Sequence, residues 1–367
     1  MGAGIAGLAM ARALSNKGYI VSVVERSAYA VGASVRNFGM IWPIGQPSGD
    51  LFDCAVRSRE VWKQFAGEAG VFHDSVGSLH LAYHADEALV LGELHELYGK
   101  ERKLNMLSPD KILECSGAVV KNGLVNGLFS PLEMIVDPRE AIRELPSWLE
   151  LKHNVTFIWN EMVLAISEQT VYTANEELEA DLIVVCTGAD MELLFPEVFL
   201  DHPVTKCKLQ MMRMAAQPSE WRIGPALCGG LSLIHYPGFR VADSLEVLKR
   251  RYMQEFEEYL NMGIHVMVSQ NGKGELTIGD SHEYGNTFEP FDKESINRMI
   301  LDYLSRFASF RDNTVIETWH GFYSKLTNGE AFLFSNPQAG IYVFNGLGGA
   351  GMTLSFGLAE RLVKQIH

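Results

Sequence analysis

Two kinds of hydrophobic pattern divide this 367-residue chain. In the first, short unbroken apolar runs adjoin glycine-bearing turns. Residues Ile5 to Asn16 place apolar side chains at helical spacing, and Lys17-Gly18 supplies a stop with a cation near the helix C-terminus. The run "YIVSVVER" follows, continuous and β-branched, which predicts a strand covered on both faces as in a parallel sheet. "EADLIVVCTGAD" has the same form, a strand over Leu182 to Cys186 running into Thr187-Gly188. "AGIYVFNGLGGAGMTLSFGLAERLVKQI" gives a strand over Ile341 to Asn345, a glycine-rich turn and a long amphipathic helix. Strand ends of one kind, spread from N-terminus to C-terminus, imply one discontinuous sheet in a doubly wound α/β domain.

The second pattern lies between them. "KCKLQMMRMAAQP", "ALCGGLSLIHYPGF" and "IHVMVSQNGKGELTIGDS" predict longer strands with glycine turns, while "SLEVLKRRYMQEFEEYLNMG" and "FDKESINRMILDYLSRFASF" predict helices. The expected architecture is therefore a Rossmann-like nucleotide-binding domain over 1–75, 132–203 and 315–367. An α+β substrate domain built on an antiparallel sheet is inserted at 76–131 and 204–314.

The first turn carries chemistry. Gly2, Gly4 and Gly7 form G-x-G-x-x-G, whose small residues let the amides around Ala6 approach a pyrophosphate at a helix N-terminus. Glu25 ends the following strand about 20 residues on, where a carboxylate accepts both ribose hydroxyls of an adenosine. The strand that ordinarily precedes this motif is absent. About five buried apolar residues at roughly 1.5 to 3 kcal/mol each would be missing, a sum comparable to a domain's net stability. The expectation is that the sequence as written starts late and that a few apolar residues precede Gly2 in the working protein.

Composition narrows the partners. A formal charge of −14 and no basic run exclude a general nucleic-acid binder. Cys54, Cys115, Cys186, Cys207 and Cys228 show no C-x-x-C spacing, against a disulfide scaffold or metal centre and in favour of a reducing cytoplasm. No stretch has the roughly 20 apolar residues of a membrane helix, so no membrane is expected as a partner. His80 and His84 have metal-like spacing only on a helix, and they sit in a strand-like segment. The oligomeric state is not legible.

With these motifs in order, the chain resembles the FAD-dependent amine and amino-acid oxidase family that includes glycine oxidase, D-amino-acid oxidase and sarcosine oxidase. The segments carrying this are the glycine fingerprint with Glu25, "GASVRNFGMIWP", "ADLIVVCTGA", "GELTIGDS", "WHGFYSK" and "GLGGAGMTLSFG". "GASVRNFGMIWPIGQP" with "KLQMMR", "GLSLIHYPGF" and "WHGFY" is similar to a subgroup associated with bacterial phosphonate catabolism. The resemblance implies noncovalent FAD held by the amides around Gly2, Gly4, Ala6 and Gly7, with Glu25 and Arg26 by the adenosine ribose. It places Ser34, Arg36 and Asn37 along the pyrophosphate and flavin, Thr187 and Gly188 against the dinucleotide, and Gly346, Gly348, Gly349, Gly351, Met352 and Thr353 at the pyrimidine end of the ring. Met40, Trp42 and Met352 would pack around the ring system.

The implied reaction is hydride transfer from the carbon bearing nitrogen to flavin N5, then imine hydrolysis to an aldehyde, with oxygen or another acceptor reoxidising the flavin. No strong base is mandatory for it. The substrate expected is a small amine with an acidic group, 2-aminoethylphosphonate or its N-methyl derivative. Tyr323 stands where amino-acid oxidases of this type carry a carboxylate-gripping arginine, and Gly321 and Thr353 stand where sarcosine oxidases carry a flavin-linking cysteine and a lysine. The expected substrate-orienting residues are Arg213, Tyr236, His320 and Tyr323, with Lys208, His235, His282 and Lys325 as further candidates. His235 and Tyr236, read as neighbours on a strand, would face opposite sides. The alternatives are a glycine/sarcosine-type or D-amino-acid oxidase, an NAD-dependent dehydrogenase, and a noncatalytic FAD-binding subunit.

Overall fold

The structure is a computed structural model, and it describes residues 1–366. The apolar runs form the strands Ser22–Glu25, Ile183–Val185 and Ile341–Asn345. Ile183–Val185 pairs parallel with Ile341–Asn345, and Ser22–Glu25 pairs parallel with Thr156–Trp159. Met1 and Gly2 lie between the two pairs. The Met1 amino group donates to the Val184 carbonyl at 2.7 Å, the Cys186 amide to Met1, and the Gly2 amide to Val24. The strand ends and their glycine turns therefore converge at one edge, the ligand-binding edge of open α/β sheets.

Helices cover this layer. Ile5–Ser15, Asp50–Ala69, Pro138–His153 and Gly351–Leu362 bury a continuous apolar cluster that includes Leu8, Trp62, Phe65, Trp148 and Phe356. Pro138–His153 starts where Asp137 accepts the Arg139 amide at 2.9 Å, with Pro138 in the first turn, where its missing N–H costs nothing. Among the described residues no helix is long and apolar enough to cross a membrane.

The second layer is a nine-stranded, mostly antiparallel sheet. Its spine is Val204–Met214, paired antiparallel along almost its whole length with Val315–Leu326. On the other edge Met211 to Met214 pair with Leu276–Gly279, which forms a hairpin with Met267–Gln270. Helices Ala85–Arg102, Leu245–Glu255 and Glu294–Ser305 cover one face over a second apolar core. One expectation needs correction. "ALCGGLSLIHYPGF" is not a long strand: only Ala226–Cys228 is extended, and Leu231–His235 is a short helix.

Candidate functional site

A cavity of about 630 Å³ runs from the N-terminal glycines to the spine of the antiparallel sheet. That size is ordinary for a small-molecule site. All the residues expected at the cofactor line it except one: Gly2, Gly4, Ala6, Glu25, Arg26, Ser34, Arg36, Asn37, Thr187, Gly188, Gly346, Gly348, Gly349, Gly351, Met352 and Thr353. Gly7 does not line it. A Cβ there would fall 1.9 Å from the Gly2 carbonyl oxygen, so Gly7 acts by letting the first helix pack against the turn.

Local hydrogen bonds shape this wall. Glu25 accepts the amides of Ala3 and Ser27, and Ser34 Oγ accepts the Ile5 amide at 2.9 Å. Gly2 has φ +87° and its Cβ would meet the Cys186 carbonyl oxygen at 2.4 Å, so only glycine fits. At Gly188, φ +62°, a Cβ would meet nothing within 4 Å, leaving bare backbone toward the cavity. Trp42 Nε1 is buried without a partner on the same wall. A cradle of exposed backbone plus an unspent buried donor fits an extended dinucleotide with a polar ring system.

At the far end the terminal turn is fastened to the antiparallel sheet. Ser324 Oγ donates to Asn345 Oδ1 at 2.6 Å, and the Gly346 amide donates to Ser324 Oγ at 3.2 Å. Lys325 and Leu347 form a β-bridge. This sets Tyr323 and Lys325, one face of an alternating strand, beside the glycine turn and inside the cavity. The opposite wall carries His235, Tyr236, Arg240, His265, Asp280 and His282. His235 and Tyr236 both line it. The short helix ends between them, so the opposite-face expectation of a strand does not hold.

The groups here are desolvated. Burial pushes His282 down to about 4, against the Gly263 carbonyl and with Lys325, and burial holds His235 and His265 well below the usual imidazole value, with neighbouring imidazoles and Lys325 acting in the same direction. Burial raises the Asp280 carboxyl well above its ordinary value and lowers the Lys325 ammonium. The Tyr323 and Tyr236 hydroxyls are raised by burial and by the nearby Asp280.

The structure does not bring Arg213, Lys208 or His320 to this cavity. Arg213 is 5% exposed and reaches Glu275 Oε2 at 3.2 Å and Thr277 on the hairpin. Lys208 is buried against the carbonyls of Glu289 and Phe291 and lies 3.2 Å from Asp292. His320 pairs with Asp292 at 2.9 Å and lines a separate, open cavity of about 530 Å³ with Arg36, Arg139 and Trp319. All three have protein partners away from the cavity. His265, Arg240 and Asp280 carry no role in the sequence analysis, although His265 and Asp280 both lie in the quoted segment "IHVMVSQNGKGELTIGDS".

Behind Trp42, His80 sits on the strand Ser78–Ala82, packed on the Trp42 and Phe239 rings. It has no helical partner at His84. Burial pushes its imidazole down to about 3. The unfolded chain takes up this proton near pH 6.5 and the folded one resists, so stability is lost as pH falls from 6.5 toward 3. In urea unfolding, the wild type is expected to lose about 2 kcal/mol more than His80→Gln between pH 7 and 5. Parallel losses would contradict the assignment.

The family model described as "DAO: FAD dependent oxidoreductase" matches residues 1–365. No curated protein sequence matches. Among solved structures, the fold is similar to that of glycine oxidase from Geobacillus kaustophilus, with TM-score 0.77 and 18% identity over 100% of this chain and 92% of that one. It is similar to L-proline dehydrogenase from P. horikoshii, with TM-score 0.78 and 19% identity over 100% and 92%. L-alpha-glycerophosphate oxidase from Mycoplasma pneumoniae, with FAD bound, gives TM-score 0.73 and 19% identity over 100% and 93%.

Proposed function

Because the chain belongs to the DAO family of FAD-dependent oxidoreductases, we propose that it oxidises a small amine bearing an acidic group, with 2-aminoethylphosphonate or its N-methyl derivative as substrate. The family membership sets aside a nicotinamide dehydrogenase. The observation that carries the substrate reading is the charge at the far end of the cavity. Lys325 and Arg240 line it, three imidazoles join them, and the one carboxyl in the cluster, Asp280, is pushed by burial toward its neutral form. A tetrahedral oxoanion with several acceptor oxygens is served by point donors from different elements, and Tyr236 and Tyr323 add hydroxyls to the set.

In this reading residues 1–75, 132–203 and 315–367 carry noncovalent FAD, and 76–131 with 204–314 form the substrate side. FAD supplies the redox step by accepting a hydride from the carbon next to nitrogen. The protein orients the amine, excludes water with Met40, Trp42 and Leu209, and leaves the imine to hydrolyse after release.

The test is anaerobic bleaching of bound flavin by a panel of glycine, sarcosine, D-alanine, 2-aminoethylphosphonate and its N-methyl derivative, followed by a peroxide assay in air. Bleaching at least about tenfold faster with an aminophosphonate than with any carboxylate is expected. Faster bleaching by glycine, sarcosine or D-alanine would move the assignment to a glycine/sarcosine-type or D-amino-acid oxidase. A yellow protein bleached by none of them would be a noncatalytic FAD-binding subunit.

A further inference from the structure

We propose that His235 is the base that takes the proton from the substrate's ammonium group, with His265, His282 and Asp280 as positioning residues around its imidazole. The proposal rests on the amine-oxidising reading above and adds to it a proton acceptor that the reaction's redox step does not itself provide.

The geometry of four side chains points there. One nitrogen from each of His235, His265 and His282 lies within 4.8 Å of the others, and the rings pack at centroid separations of 3.8 Å (His235 to His265), 4.7 Å (His235 to His282) and 5.1 Å (His265 to His282). His282 Nδ1 lies 2.9 Å from the Gly263 carbonyl, which only accepts, so Nδ1 carries the hydrogen. Its Nε2 then presents a lone pair, 3.6 Å from Asp280 Oδ2. His265 Nε2 is 3.1 Å from Asp280 Oδ1, and both His265 Nδ1 and Asp280 Oδ1 are buried without a hydrogen-bond partner. His235 is the least buried of the three imidazoles, stands at the cavity surface, and has no hydrogen bond from either ring nitrogen to the described protein. It is the member most open to a ligand in a cavity that all three line.

The charged and titratable groups facing His235 set the sign. From the elements packed around it come Lys325, Arg240, His265 and His282, all of which disfavour its protonation, and burial acts the same way. Tyr236 and His265 stack beside it, and Tyr284 and Tyr323 pack on His282. Asp280 is the carboxyl of the group. The free site is therefore a set of neutral acceptors in a positive field. That field favours the neutral amine over the ammonium ion. When the substrate's acidic group settles on Lys325 and Arg240, their repulsion of an imidazolium is cancelled. The ammonium N–H bond then breaks, a ring nitrogen of His235 gains the proton, and the amine keeps the electron pair it needs to release hydride. Three imidazoles near a carboxylate are also a transition-metal donor set, but Lys325 and Arg240 oppose a dication there.

The test uses FAD-loaded protein and whichever amine of the panel bleaches it. Bleaching rates are followed from about pH 6 to pH 10 in wild type, His235→Gln and Asp280→Asn, with His235→Asn replacing the first variant if it fails to retain flavin. In His235→Gln the rate at pH 7 is expected to fall by about a hundredfold or more, to climb as pH nears the substrate's own ammonium pKa, and to be partly restored by added imidazole. Asp280→Asn should shift the acid limb with a smaller loss. A second readout is calorimetry in two buffers of different ionisation heat, with a substrate analogue whose α-hydrogens are replaced by methyl groups. Wild type should release no proton to buffer on binding it, and His235→Gln should release about one. An unaltered pH profile with unaltered proton release overturns the assignment of His235 while leaving the amine oxidation standing. Bleaching by no amine overturns both. Stoichiometric zinc, whose removal changes the profile, would also overturn it in favour of a metal site.

Discussion

Gly7→Val is expected to leave the protein without flavin. The valine Cβ would sit 1.9 Å from the Gly2 carbonyl oxygen and 3.6 Å from the Cys186 side chain. The first contact is with backbone, which cannot swing aside as a side chain can. Relief requires the first helix to move off the turn, and that turn supplies Gly2, Gly4 and Ala6 to the cavity wall. Overpacking of this kind costs about 1–3 kcal/mol in stability, and misplacing the pyrophosphate amides costs cofactor affinity in addition. The Kd for FAD should rise at least about tenfold, since 1.4 kcal/mol suffices for that factor, and flavin should be lost from the chain on gel filtration. Gly92→Ala is the matched control. Gly92 lies within a helix with nothing within 4 Å of an added Cβ, so it should keep its flavin and gain slightly in stability.

Trp62→Ala carries the second large effect, on stability first and on the cofactor through it. Trp62 is fully buried, meets Phe65 and Phe356 edge-on at 5.9 and 5.2 Å, and donates its indole N–H to the Met352 carbonyl at 2.8 Å. Removing it opens a cavity between the helices Asp50–Ala69 and Gly351–Leu362, at a cost of about 3–5 kcal/mol. It also removes the indole donor from the Met352 carbonyl at the start of the terminal helix, where Met352 lines the cofactor cavity. Trp62→Phe keeps much of the ring packing and loses the hydrogen bond, so it should cost about 1–3 kcal/mol. Urea unfolding distinguishes the two: a Trp62→Phe cost near zero would show that the indole N–H does not hold the turn, and equal costs would show that the ring packing adds nothing to the hydrogen bond.

The nucleotide half of the fold was legible because its physics is local. A parallel strand buried on both faces reads as an unbroken apolar run, and a phosphate turn needs glycine at fixed spacing. "VSVVE", "LIVVC" and "IYVFN" became strands or their cores, and the expected cofactor residues other than Gly7 share one cavity. The substrate half was harder to read. Short apolar runs do not distinguish a buried strand from a helix, so "LSLIH" fits a strand by pattern and is helical in the structure. Arg213 alternates correctly on its strand, but which face of that strand meets solvent, hairpin or cavity depends on partners far along the chain. Its face meets Glu275 and Thr277.

His265 and Asp280 show the same limit at finer scale. In the hairpin Met267 pairs with Gly279 and Gln270 with Leu276. Carrying that register outward would pair His265 with Ser281. Instead His265 and Asp280 exchange backbone hydrogen bonds at 3.2 and 2.9 Å, a slip of one residue. The slip brings the imidazole and the carboxylate within reach of each other. Alternation alone has no access to such an irregularity.

The central claim is spatial: glycine-bearing strand ends from both ends of the chain hold one FAD whose ring lies between the terminal turn and a wall of imidazole, lysine and tyrosine side chains. The most direct measurement is a crystal structure of the FAD-loaded protein with an aminophosphonate analogue. The pyrophosphate is expected at Gly2 to Ala6, the ring against Gly348 to Thr353, and the analogue between the ring and His235, with its acidic group on Lys325 and Arg240. A ring seated elsewhere, or an analogue held by Arg213 or His320, would contradict that claim.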